Sequence, residues 1–208
     1  MKKIFFGFKP SHIDGTEKIF NGDEEFELPE KYSYRPYMSN IMDQGEEQIC
    51  VPCTLSAFLN WRENIKNGEV KDNKIRIYDI YDSRSNDGEG MTYKDAFKFL
   101  KKEGVNSKEG LLKINSYGRV TNILSLRHAI IMNGPCFGAL PVYSNDYEFW
   151  NKKSGEYLLG YHAISIIGYD LDGFFIRNSW GTYFGDKGYT YIKNEDMGKM
   201  LEIWTIID

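Results

Sequence analysis

The chain has 208 residues, with 41% hydrophobic and 15% aromatic residues, and its 26 Lys+Arg against 30 Asp+Glu give a formal charge of −4. That length buries a core but does not divide into several independent domains, and the aromatic content excludes a disordered or collagen-like chain. The two signs of charge are mixed along the sequence, so no nucleic-acid or anionic-membrane partner is expected.

The longest apolar stretch near the start is Ile4-Phe5-Phe6-Gly7-Phe8, closed by Lys9-Pro10. This run is shorter than the apolar region of a secretory signal, and no later run reaches the length of a membrane span. Residues 1–40 are polar and turn-rich without a helical or strand period, which predicts an extended arm laid over the body. From Pro52 to Asn67 the spacing of Leu55, Phe58 and Leu59 predicts a helix, with Asn67-Gly68 as its left-handed stop. Thr92-Tyr93-Lys94-Asp95 resembles a capping box, and the stripe Ala96, Phe97, Leu100 predicts a second helix over 92–103. Ile123, Leu126, Ile130 and Ile131 predict a third over 122–132, ended by Asn133-Gly134-Pro135.

After Pro135 the sequence changes to short β-rich runs at 137–143, 162–169, 173–178, 189–193 and 201–207. Helices first and strands later predict an α+β fold with segregated halves and a cleft between them. The expected organisation is an arm over 1–28 and one domain over 29–208. Its helical half covers about 40–112 and its β-rich half 113–208.

Chemistry is expected at Cys50, one residue before Val51-Pro52. Proline is tolerated in the first turn of a helix, so Cys50 belongs at a helix N-terminus, where the partial positive charge lowers a thiol's pKa. Of the three histidines, His162 opens a strand that holds its ring rigidly, whereas His12 lies in the arm and His128 on a helix. Asn178, after the run Phe174 to Arg177, can accept the imidazole N–H and fix its tautomer, shielded by Trp180. Cys50, His162 and Asn178 then form nucleophile, base and orienting amide.

These residues, with Gln44 six positions before Cys50 and Asn178-Ser179-Trp180-Gly181-Thr182 running on to Gly185 and Gly188-Tyr189, resemble the papain-like cysteine peptidases over about residues 28–193. The pattern is nearer to bacterial and phage members than to animal cathepsins. The resemblance implies a two-subdomain papain-like fold and hydrolysis of peptide bonds in a peptide or protein substrate, with endopeptidase action favoured. It gives Gln44 the oxyanion-stabilising side chain, and it makes Gly88-Glu89-Gly90 the stretch that pairs with substrate backbone. Gly90, Met91 and Trp180 are the expected substrate contacts, with Met91 lining an apolar subsite. Leu28-Pro29 resembles the start of mature family enzymes, and the arm is shorter than the helical propeptide of lysosomal relatives. Glu47-Gln48-Ile49-Cys50-Val51 lacks the family's disulfide cysteine and the Trp that follows the nucleophile, and Phe184 stands where the family commonly has a second Trp. No metal or organic cofactor is expected, and one chain is expected to act as a monomer.

Blander readings stand beside these. Three cysteines, Cys50, Cys53 and Cys136, are an odd number in a chain that folds without staples, so a reducing cytoplasm is expected. Cys136 reads as an inert core residue. Cys50-Val51-Pro52-Cys53 is also a thioredoxin-like pattern, which makes a thiol-disulfide oxidoreductase the rival function, although such a site should follow a buried strand. A catalytically silent peptide-binding protein of the same fold is the other alternative.

Overall fold

A computed structural model describes residues 6–208 apart from Glu24 and Asn145; the expected apolar opening run therefore lies partly outside the described residues. In chain order the elements are β1 (Tyr32–Ser33), α1 (Cys50–Asn67), α2 (Ile77–Asp82), α3 (Tyr93–Lys102), β2 (Val105–Ser107), β3 (Gly110–Leu112), β4 (Ser116–Arg119), α4 (Ile123–Asn133), β5 (Cys136–Val142), β6 (Gly160–Tyr169), β7 (Gly173–Arg177), β8 (Tyr189–Lys193) and β9 (Glu202–Ile207). The main sheet is antiparallel in the order β4-β9-β5-β6-β7-β8, with β1 added along the far end of β6 beside an irregularity at Ile166/Gly168.

The mixture of helices and antiparallel sheet is the α+β class expected. Helix α1 begins at Cys50, two residues before the expected start, because Pro52 falls where no intrahelical N–H partner is needed. It stops at Gly68 in the left-handed region, φ 68°. Helix α3 is capped as its sequence predicts, with Thr92 Oγ1 accepting from the Asp95 N–H at 3.0 Å. Asn122 caps α4 in the same way. No pattern in the sequence announces α2 or β1 to β4, all six residues or shorter. Such elements are held by their neighbours rather than by a period long enough to read.

One aromatic cluster joins the helices to the sheet: Phe58 and Tyr93 lie against Phe137, Phe97 stacks on Tyr117, and Trp204 sits edge-on to Phe97. Burying each such ring contributes about 2 kcal/mol, so α1 and α3 are fixed on the sheet that carries His162.

Among its described residues the arm has no regular element before β1, and its path is specific. It runs past Met91, over the start of α3, beside β4, where Phe20 N–H donates to Arg119 O at 2.8 Å and Arg119 N–H to Lys18 O at 2.8 Å, and then to α4, where Ser125 Oγ donates to Asn21 O.

Candidate active site

Cys50 is the first residue of α1, His162 the third of β6, and Asn178 directly follows β7. The β6–β7 register pairs Ser165 with Arg177, so continuing it brings Asn178 to the His162 end of β6. His162 Nε2 lies 2.7 Å from Asn178 Oδ1, and that same oxygen accepts from the Ser179 backbone N–H at 2.6 Å. A backbone N–H can only donate, so the amide atom facing both groups is the oxygen, and His162 carries its proton on Nε2. His162 Nδ1 is thereby left with a lone pair and no hydrogen-bond partner.

Trp180 stacks on the His162 ring with centroids 4.4 Å apart, and Phe149 meets both rings. Together they keep water from the His162–Asn178 bond. Phe149 was not singled out in the sequence, because a lone aromatic after a turn carries no pattern. The Ala163 backbone amide lies at the Cys50 sulfur, which puts the thiol beside His162's neighbour on the strand.

The segment carrying Gln44 is clipped to the loop after Asn178. Gln44 N–H donates to Ser179 O at 2.9 Å, Gly181 N–H to Met42 O at 3.1 Å, and Ser179 Oγ to Gln44 Oε1 at 2.6 Å. The Glu47 carbonyl can only accept, which assigns the other amide atom as Nε2, donating to Glu47 O at 2.8 Å. Beneath this segment the buried Arg177 guanidinium donates to Ser39 O at 2.8 Å and Asn40 O at 2.7 Å. One strand end thus positions both Asn178 and the Gln44 loop.

The cleft is filled by the chain's own arm. Met91 N–H donates to Gly7 O at 2.7 Å and Lys9 N–H donates to Met91 O at 2.9 Å, a parallel bridge centred on Phe8. The Gly7 amide lies at the Cys50 sulfur. Gly7 is so close to the cleft wall that an added Cβ would stand 2.0 Å from Gln48 O. Gly90, at φ 83°, turns the chain so that its N–H meets Tyr81 Oη and its carbonyl meets Asn86, which leaves the backbone of Met91 facing the arm.

Further along, Ser11 Oγ donates to Glu202 Oε1 at 2.9 Å. Glu202 pairs in register with Ala139, and Ala139 with Ala163, so the three side chains form one row on one face of the sheet. Sequence reading missed Glu202, since an acid within an apolar strand gives no sign of what lies across the sheet.

Covered in this way, Cys50 and His162 are each 0% exposed. Burial pushes the Cys50 thiol up to about 11, against the opposing pull of the Ala163 and Gly7 amides. Burial likewise brings His162 down to about 4, only partly offset by Asn178. Both groups are therefore neutral over the whole range between, and the helix N-terminus does not outweigh desolvation while the arm is in place. This differs from the lowered thiol pKa that the helix start alone predicts.

Cys136 is buried in β5, and His128 is tied to Leu124 O within α4, away from this cluster. Among the described residues no group of three or more His, Cys, Asp or Glu could hold a metal ion, and no helix is long and apolar enough to cross a membrane. The residues before Cys50 form a turn rather than a strand, so the setting that a thioredoxin-like site requires is missing.

Residues 59–204 match the sequence profile of the papain family of cysteine proteases, a span that takes in His162, Asn178 and Trp180 and starts beyond Cys50. The chain is 27% identical over 187 residues to the gamete and mating-type specific protein A of Dictyostelium discoideum, covering 75% of this chain and 40% of that protein. It is 24% identical over 209 residues to the cysteine endopeptidase RepA of Oryza sativa subsp. japonica, covering 85% and 55%. The chain thus spans about half the length of these curated relatives. Among solved structures, xylellain, a cysteine protease from Xylella fastidiosa, has the same fold with a TM-score of 0.83 at 22% identity, covering 99% of this chain and 96% of that one. None of these similarities points to an oxidoreductase or to a silent binding protein. With the profile matching well over half of its length on this fold, the chain belongs to the papain family of cysteine proteases.

Proposed function

We propose that the protein is a cysteine peptidase held latent by its own arm. The single observation that carries the reading is the His162–Asn178–Ser179 arrangement, which leaves His162 Nδ1 as an acceptor on the strand whose next residue, Ala163, turns its backbone amide toward the Cys50 thiol. With the arm displaced, water returns to the cleft, and Cys50 Sγ–H can pass its proton to Nδ1. The thiolate attacks the scissile carbonyl, and Gln44 Nε2 with the Cys50 backbone N–H stabilises the oxyanion. His162 then protonates the leaving amine and next activates the water that hydrolyses the thioester. Asn178 holds the ring throughout, and Trp180 shields that bond.

The arm lies where an extended peptide would lie. Its backbone pairs with Met91 on one side of Cys50, and Phe6 packs on Gly160 on the other. Room for chain on both sides of the thiol suits internal peptide bonds, and so an endopeptidase. Phe8 of the arm lies on Tyr93 and bridges to Met91, and Ser11 reaches Glu202 at the end of the Ala163–Ala139–Glu202 row. With the arm displaced, we infer that these residues give one subsite apolar walls and an acidic end. A lysine or arginine side chain, with an apolar stem and a charged tip, fits that combination. Thiol, base and orienting amide all come from one chain, so a monomer suffices. Three free cysteines suit a reducing, cytoplasmic setting.

Cleavage of a fluorogenic peptide library tests the reading. Cys50→Ala should abolish turnover with the fold intact, and Gln44→Ala should lower kcat by about a hundredfold or more. Unchanged turnover in Cys50→Ala would refute the assignment.

A further inference from the structure

The proposed mechanism leaves Cys53 unused. It lies on α1 one turn beyond Cys50, buried, with its thiol directed at Met42 Sδ 3.2 Å away. Residues three apart on a helix have Cα atoms about 5 Å apart, inside the usual span for a disulfide. Their Cβ atoms stand about 5–6 Å apart, roughly 1 Å more than a relaxed disulfide allows.

The shortfall can be taken up locally. Ile49, which caps the helix, is not helical (φ −111°, ψ 23°), Pro52 has no amide to lose, and the Cys53 N–H to Ile49 O bond at 3.0 Å is the contact that must give. A bond formed at this cost is strained, and strained disulfides are the easily reduced, regulatory ones.

We propose that Cys53 is a resolving cysteine that protects Cys50 from irreversible oxidation, an inference that rests on Cys50 being the reactive thiol. When the arm lifts and hydrogen peroxide reaches the site, Cys50 thiolate attacks one peroxide oxygen. The O–O bond breaks, hydroxide leaves, and Cys50 becomes a sulfenic acid. Cys53 then turns from Met42, and its sulfur attacks Cys50 Sγ. The S–S bond forms as the S–O bond breaks, and the departing hydroxide takes the Cys53 proton as water. In sum two thiols give two electrons to one peroxide, yielding one disulfide and two waters. A dithiol reductant reverses the change. Without Cys53 the sulfenic acid advances to the sulfinic and sulfonic acids.

The test uses the full chain carrying Gly7→Val, which displaces the arm, with and without Cys53→Ala, treated with hydrogen peroxide and then with a thiol-blocking reagent. Peptide mapping should find Cys50 joined to Cys53 in the parent and activity restored by dithiothreitol. The Cys53→Ala form should have the same basal activity but should carry sulfinic or sulfonic acid at Cys50 and lose recovery. Cys53→Ser serves as the second variant should the alanine form be poorly folded. Sulfinic acid at Cys50 accumulating equally with and without Cys53, or a Cys53 that stays free after Cys50 is oxidised, would overturn the proposal. Mapping needs no turnover, so a reduced protein that cleaves no peptide would count against the peptidase reading and not against this one.

Discussion

At the scale of single residues the site depends on which atoms can donate. Because the Ser179 N–H fixes Asn178 Oδ1, and Oδ1 fixes the His162 proton on Nε2, the imidazole presents its basic nitrogen on the other side. Glu202 is the residue whose role is most open to direct test, since in this state its carboxylate is held by Ser11 of the arm. Glu202→Gln should lower the kcat/KM preference for arginine over leucine at that subsite by about tenfold, the worth of one charge-assisted hydrogen bond. An unchanged ratio in a peptide-library profile would remove Glu202 from the specificity pocket.

Much of this scale was legible in the sequence. Cys50, His162, Asn178 and Gln44 each stand in a run with its own character, a helix start, a strand start, a strand end and a polar turn. Glu202 and Phe149 were not legible, because their importance arises from cross-sheet register and ring packing, which only the folded chain defines.

At the scale of elements, β7 does two jobs at its final residue. Asn178 leaves the strand toward His162, while Arg177, buried at 4% exposure, ties residues 39–40 and with them the Gln44 loop to the sheet. Arg177→Met should therefore cost about 2–4 kcal/mol in denaturant unfolding, since the buried Ser39 carbonyl and the part-buried Asn40 carbonyl lose a charged donor. It should also lower kcat, because the loop that carries Gln44 is no longer held. A loss of stability with kcat unchanged would show that the loop keeps its place without the guanidinium. The long elements were legible from their periods, and Tyr189–Lys193 matches its expected span. The two-residue β1 and the six-residue α2 exist because β6 and α1 lie beside them, and no window of sequence contains that information.

At the scale of the whole molecule, the arm is the part whose lack of pattern concealed a specific path. Its described residues form no helix or strand of their own, since their hydrogen bonds go to Met91, Arg119 and the start of α4 instead. Burial raises the Cys50 thiol and lowers the His162 imidazole, so in the proposed mechanism the arm suppresses the ion pair as well as blocking access. Covering and silencing are then one event in the proposed latent state, reversed together when the arm leaves.

The most direct test is the pH dependence of Cys50 labelling by an epoxide peptide inhibitor, followed by intact mass with the modified residue mapped, on the wild type and on Gly7→Val. The variant needs a Cβ where Gln48 O stands 2.0 Å away, so the arm must leave the cleft. In the wild type labelling should be slow near neutral pH and rise as pH climbs toward about 11, the value to which burial pushes the thiol. In Gly7→Val the rise should move to lower pH, with each unit of downward shift raising the thiolate fraction at neutral pH about tenfold, and His162→Ala should remove that gain. Identical slow labelling of wild type and variant, or an adduct at a residue other than Cys50, would contradict the account.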